Sequence, residues 1–190
     1  MTRIDTATSG EVEQVNQRLE ELRRSFDDDI RCAPAEETKK AEEFLLLTLS
    51  GEAYAYPVAH ALEVLQVPPI VPVPGVPPAV LGIINFRGQI LSVTTIHGLL
   101  GLTAGEPGSG SRVIVTKGLP LVTGILADSV ERIVEIAAEN ILPLPVTIGD
   151  ERARLLAGQV YVDNRVVFLL DMEQLCGSES LRVTQTDPAN

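Results

Sequence analysis

From residue 44 onward the chain is a succession of short apolar runs broken by turn residues, the spacing of a mainly β domain. Residues 44–49 and 53–58 flank Ser50-Gly51-Glu52 as a first hairpin, and residues 62–67 add a strand. The proline-rich residues 68–78 read as a stiff connector into a second hairpin, whose β-branched arms flank Arg87-Gly88. Residues 113–116 and 121–127 form a third around Lys117-Gly118; residues 130–137 follow, and a last hairpin turns at Asp163-Asn164. The sum is about ten short, mostly antiparallel strands, which suits small barrels or a sandwich.

Ahead of these strands the period changes. Val12, Val15, Leu19, Leu22, Phe26 and Ile30 recur every three or four residues and so share one helical face. Thr8 with Glu11 fits a capping box, Glu20 with Arg24 a favourable i,i+4 pair, and Asp27 to Asp29 oppose the dipole at the C-terminal end. Such a face needs a partner, either this chain's own domain or another chain, including self-association through residues 12–30. The resulting division is an N-terminal helical extension and linker (1–43), a β domain (44–177) and a C-terminal tail (178–190). The β domain is expected to fold without the extension.

The domain repeats itself. Residues 82–101 (GIINFRGQILSVTTIHGLLG) align without a gap on residues 158–177 (GQVYVDNRVVFLLDMEQLCG). Gly82 matches Gly158, Arg87-Gly88 matches Asp163-Asn164, and Thr95 matches Asp171, each an oxygen-bearing residue placed to cap a short helix. Upstream, Ile70-Val71-Pro72-Val73-Pro74 answers Ile141-Leu142-Pro143-Leu144-Pro145, and Leu62-Glu63 answers Val130-Glu131. Two related lobes follow, with the Gly- and Ser-rich residues 103–111 as the expected joint between them.

Composition narrows the function. The net charge is −11 and no region is basic, which excludes the cationic footprint that nucleic-acid binding needs. Aromatic residues are 4% and tryptophan is absent, so the core is aliphatic. Cys32 and Cys176 show no CxxC spacing, and no signal peptide is expected. The long uncharged run at residues 64–86 holds six prolines, Pro68, Pro69, Pro72, Pro74, Pro77 and Pro78, too many for a membrane-spanning helix; cytoplasmic residence is the simplest expectation.

No nucleophile elbow, HExxH or phosphate-loop sequence is present, and His60 and His97 cannot supply a His-rich metal site. Both histidines read as surface or helix-end residues. Of the acidic residues that might pair for catalysis, Glu63, Asp128, Glu131 and Asp171, the last is explained by capping. Glu63 and Glu131 stand at equivalent places in the two lobes, which favours a structural or surface role. The expectation is no enzyme, no metal and no cofactor. Arg87 is different: it is the only Lys or Arg between Lys40 and Arg112, and it sits at a hairpin tip, where contact with a partner is a stronger reading than a solvated turn cation.

Tyr56-Pro57-Val58, Leu62-Glu63-Val64, Gly82-Ile83-Ile84-Asn85-Phe86-Arg87-Gly88, Asp128-Ser129-Val130-Glu131 and Leu169-Leu170-Asp171 together resemble the CheW family of chemotaxis adaptors. The glycine, asparagine, arginine and glycine of that family's INLRG motif fall on Gly82, Asn85, Arg87 and Gly88. The resemblance implies two five-stranded β-barrel lobes sharing a hydrophobic core. It also implies a non-enzymatic adaptor between the cytoplasmic tips of chemoreceptors and the regulatory domain of a chemotaxis histidine kinase. Arg87, Asn85, Phe86, Glu63 and Val64 would then be protein-binding, and Gly82, Gly88, Thr95, Asp163, Asn164 and Asp171 structural turn or cap residues. Ser92, Thr95 and His97 replace the family's proline, aspartate and arginine, which points to a divergent chemosensory pathway. Alternatives from other classes are a purine-like ligand in a barrel mouth and a scaffold that self-associates through the N-terminal helix.

Overall fold

A computed structural model describes residues 13–21, 41–117 and 122–177. The expected roles of Thr8, Glu11, Val12, Leu22, Arg24, Phe26, Asp27 to Asp29, Ile30, Gly118 and Leu121, and the tail 178–190, lie outside them. Residues 13–21 form helix α1. Ten strands follow: β1 (Ala41–Leu49), β2 (Glu52–Pro57), β3 (Ala61–Gln66), β4 (Val80–Phe86), β5 (Gln89–Thr95), β6 (Arg112–Thr116), β7 (Thr123–Ala127), β8 (Ser129–Ala137), β9 (Leu156–Val162) and β10 (Arg165–Leu170). Short helices α2 (Asp150–Ala153) and α3 (Met172–Gly177) and three single 3₁₀ turns complete the described chain.

The strands form two five-stranded sheets, ordered β8-β1-β2-β10-β9 and β3-β6-β7-β5-β4. The expected joint at residues 103–111 is corrected by this order, because those residues link β5 to β6 within one sheet. Replacing β1 to β5 by β6 to β10, and the reverse, converts one strand order into the other. The repeat is therefore a pseudo-twofold in which each half of the sequence gives two strands to one sheet and three to the other. Two parallel pairs, β2 with β10 and β5 with β7, stitch the halves together inside the sheets.

Alternation along the central strands builds three apolar clusters. Phe44 and Leu46 of β1 point into the first lobe, while Leu45, Leu47 and Leu49 point to a core shared by both lobes. In β6, Val113 and Val115 fill the second lobe and Ile114 faces the shared core. Burial on both faces is why these strands read as unbroken apolar runs. Val15 and Leu19 of α1 belong to the shared core as well, so this part of the amphipathic face is satisfied within its own chain.

Gly82 and Gly158 are at equivalent close approaches. Val71 exchanges both backbone hydrogen bonds with Ile83 at 2.9 Å, and Leu142 does the same with Gln159 at 2.8 and 3.0 Å. A Cβ on Gly82 would overlap the Val71 carbonyl, and one on Gly158 would come within 2.9 Å of the Leu142 oxygen. The repeated proline-flanked phrases thus exist to lay an extra bridge across the start of each hairpin.

Asp171 caps α3 by accepting the Gln174 N–H at 3.0 Å. Asp171→Ala is expected to cost about 1 kcal/mol, the worth of an N-cap, measured by urea unfolding. Thr95 does not repeat this role. The 3₁₀ turn Gly98–Leu100 has His97 at its N-cap with no side-chain cap, and the Thr95 hydroxyl instead meets His97 Nδ1 at 2.7 Å. His97 is correspondingly not a surface residue: it is 1% exposed, held between Thr95 and Asp128, whose Oδ1 lies 3.2 Å from Nε2.

Candidate interaction surface at the β4–β5 hairpin

Arg87 and Gly88 form the two-residue turn of β4–β5 with φ of 52° and 83°, the left-handed pair that a tight hairpin needs. Asn85 accepts the Gly88 N–H at 2.9 Å through Oδ1 and so closes the turn from the side. The Arg87 side chain, 70% exposed, donates to Glu63 Oε2 at 2.6 Å and lies 5.3 Å from the centroid of Phe86. The turn thus brings Asn85, Phe86, Arg87 and Glu63 into one cluster, with the guanidinium's direction fixed from two sides.

Val64 does not join them. Its side chain is 1% exposed and faces the shared core, because alternation along β3 turns Glu63 outward and Val64 inward. Its backbone N–H and C=O are instead held by the Asn16 side chain of α1, at 2.8 and 2.7 Å. The sequence reading also missed an apolar shelf beside the cluster. Ile90, paired with Asn85 across the hairpin, is 80% exposed, and Val71 is exposed as well. With Pro68, Pro69, Ile83 and Gln89 they line a cavity of about 480 Å³. The available signal was register: Ile90 shares the outward face of Asn85.

The equivalent end of the other lobe carries the reverse arrangement. Asp163 and Asn164 turn the β9–β10 hairpin with φ of 49° and 62°, and Asp163 pairs with Arg132. Here the tip presents the anion and strand β8 the cation. Beside it Arg165 grips Glu131 with both terminal guanidinium nitrogens, and Thr48 donates to the same carboxylate at 3.3 Å. The Arg165 hydrogen bonds hold the Glu131 carboxyl below its ordinary value of 4.5, against the opposing effect of partial burial. Because the folded state holds its proton less tightly than the unfolded state, the stabilisation is complete above the ordinary value. It is lost as pH falls through the folded one. Glu131→Gln is therefore expected to flatten the acid limb of a stability–pH profile below about pH 5.

A third group has the outline of catalytic machinery without its function. Thr95 Oγ1, His97 and Asp128 line up as hydroxyl, imidazole and carboxylate. Thr95 and His97 are both buried, however, and Asp128 is also tied to the Ser50 N–H at 2.6 Å. The line runs from the β1–β2 turn of one sheet to the end of β5 in the other and serves as a polar link between lobes. Among the described residues no three His, Cys, Asp or Glu side chains converge to hold a metal ion.

Comparison with known proteins accords with this geometry. The family model for the CheW-like domain matches residues 43–180. The chemotaxis protein CheW of Rhizobium meliloti is 26% identical over 142 residues, which covers 75% of this chain and 92% of that protein. The CheW protein of Thermotoga maritima is 30% identical, covering 72% and 88%. Protein FrzA of Myxococcus xanthus is 28% identical, covering 75% and 90%. The crystal structure of the scaffolding protein TtCheW from Thermoanaerobacter tengcongensis superposes with a TM-score of 0.64 at 23% identity, over 74% of this chain and 91% of that one. A ten-strand, two-lobed β fold and a model match over residues 43–180 lead to one assignment: the chain belongs to the CheW-like domain family.

Proposed function

We propose that this chain is a non-enzymatic chemotaxis adaptor that couples chemoreceptors to a histidine kinase, with the β4–β5 hairpin tip and the outward face of β3 as its contact surface. The observation that carries the surface is the Glu63–Arg87–Phe86 cluster set beside the exposed Val71 and Ile90. An oriented charge next to a small apolar shelf is the anatomy of a protein contact: the shelf supplies desolvated area and the charge supplies register. The cytoplasmic tip of a receptor and the regulatory domain of the kinase are the partners this reading assigns, and the cytoplasm is where they meet. No helix among the described residues is long and apolar enough to cross a membrane. Ser92 and His97, used here for a hydrogen bond to Thr123 and for the inter-lobe link, are consistent with a divergent chemosensory pathway.

Titration of the full chain with a receptor-tip helical hairpin and with a kinase regulatory-domain fragment tests the proposal. Saturable binding to each is the expected outcome, with a ternary complex when all three are mixed. Absence of binding to both fragments overturns it.

A further inference from the structure

Helix α1 lies ahead of the family domain, which starts at residue 43, yet it is seated on a seam of that domain. Strand β3 ends one sheet, and β8 with β1 ends the other. Val15 and Leu19 enter the core shared by both lobes. Asn16, between them, gives its amide N–H to the Val64 carbonyl and takes the Val64 N–H, so one side chain holds both backbone groups of a residue in the middle of an edge strand. On the far side Arg18 reaches Glu43 of β1 at 3.7 Å, and an open cleft of about 460 Å³ separates Gln14, Val15 and Arg18 from Glu131, Arg132 and Ile133 of β8. Burial partly desolvates Glu43 and raises its pKa, with Arg18 acting against that.

Both sheets have all their strands without α1, whose described residues, 13–21, add no strand to either. An exposed edge strand is a ready template for pairing, and covering it with a helix is one way to block that. Glu63, the anchor of the Arg87 cluster, is the residue next to Val64. A helix seated on Val64 is therefore one residue along β3 from the surface assigned above.

We propose that α1 is a built-in cap on the groove between β3 and the β1–β8 pair, occupying a site for an amphipathic helix with apolar residues at i and i+4 and an amide at i+1. The cap opens without unfolding of the domain. Its existence does not depend on the adaptor reading; only its effect on receptor binding rests on that reading.

Amide hydrogen exchange on the full chain reads the opening directly. The Val64 amide is expected to exchange much faster than the Val115 amide on β6, through an opening confined to α1. Equal, globally limited exchange at the two positions overturns the proposal, because α1 would then be part of the cooperative core. A second experiment uses full-length Leu19→Asp and a synthetic peptide of residues 10–24. The folded variant is expected to bind the peptide in trans at least roughly tenfold more tightly than the wild-type chain, whose groove is filled. A variant that loses its cooperative transition, or that folds and ignores the peptide, also overturns it. With a receptor-tip fragment, Asn16→Ala is expected to strengthen binding. If the peptide and exchange results hold while receptor affinity is unchanged, the cap stands and the adaptor surface is misplaced.

Discussion

Arg87→Glu is expected to weaken binding to the receptor and kinase fragments by roughly tenfold or more while changing the unfolding free energy by no more than about 1 kcal/mol. The stability side follows from exposure. Arg87 is mostly in solvent, its pair with Glu63 is of the surface kind worth about 0–1 kcal/mol, and its contact with Phe86 adds a similar small amount. The binding side follows from direction. A reversed charge beside the Val71 and Ile90 shelf removes a charge-assisted contact and places two carboxylates where the partner meets one cation. The charge swap Glu63→Arg with Arg87→Glu separates two roles, since it rebuilds the ion pair with the sign exchanged. Calorimetric titration of the single and double variants decides between them. Binding that stays lost in the swap means that the partner reads the cation itself. Binding restored by the swap means that the pair only holds the tip in place, and unchanged binding in the single variant moves the contact away from this hairpin.

The largest stability loss is expected at Gly82. Alanine there would put a methyl group into the Val71 carbonyl and within 2.8 Å of its carbon. Neither side can yield easily, because Val71 and Ile83 are joined by two hydrogen bonds across the contact, and the residue's φ of 148° is one that side chains rarely adopt. A cost of roughly 3 kcal/mol or more is expected, in the range of overpacking combined with strained backbone. Gly88→Ala is the control. Its φ of 83° is left-handed but a Cβ meets nothing within 4 Å, so the expected cost is only about 1–2 kcal/mol. Gly158→Ala, with a milder approach to Leu142, is expected between the two. Urea midpoints should fall in the order Gly88, Gly158, Gly82; equal midpoints for the first and last would show that the bridge relaxes around the methyl.

The turns were readable from sequence because their chemistry is local. Arg87-Gly88 and Asp163-Asn164 carry their positive φ values in their own residue types, and the repeat set one against the other. The swap of strands between sheets was not, since the parallel pairing of β2 with β10 or β5 with β7 leaves no mark near either strand. Glu63 and Arg87 were each picked out, but their ion pair joins residues far apart in sequence. Val64 was misassigned because an apolar residue beside an outward acid gives no sign of its own direction until the register of β3 is known. Ile90 was passed over for the opposite reason: next to a turn it reads as one more core residue. His97 looked exposed because the two groups that satisfy it, Thr95 and Asp128, come together only when β5 lies beside β7.

The insertion of one sheet into the other has a consequence for the order in which the molecule can be made. All five strands of the β3–β7 sheet lie between Ala61 and Ala127, whereas the other sheet needs β1 and β2 from before that segment and β8 to β10 from after it. A chain growing from its N-terminus therefore completes the sheet that bears Arg87 while β1 and β2 still lack β8 and β10 on their flanks. Until β8 has emerged, Leu45, Leu47 and Leu49 have only Val15 and Leu19 of α1 and the nascent second sheet to cover them. The shared core is then not merely where the lobes meet: it is the surface on which the first-made strands wait for the last.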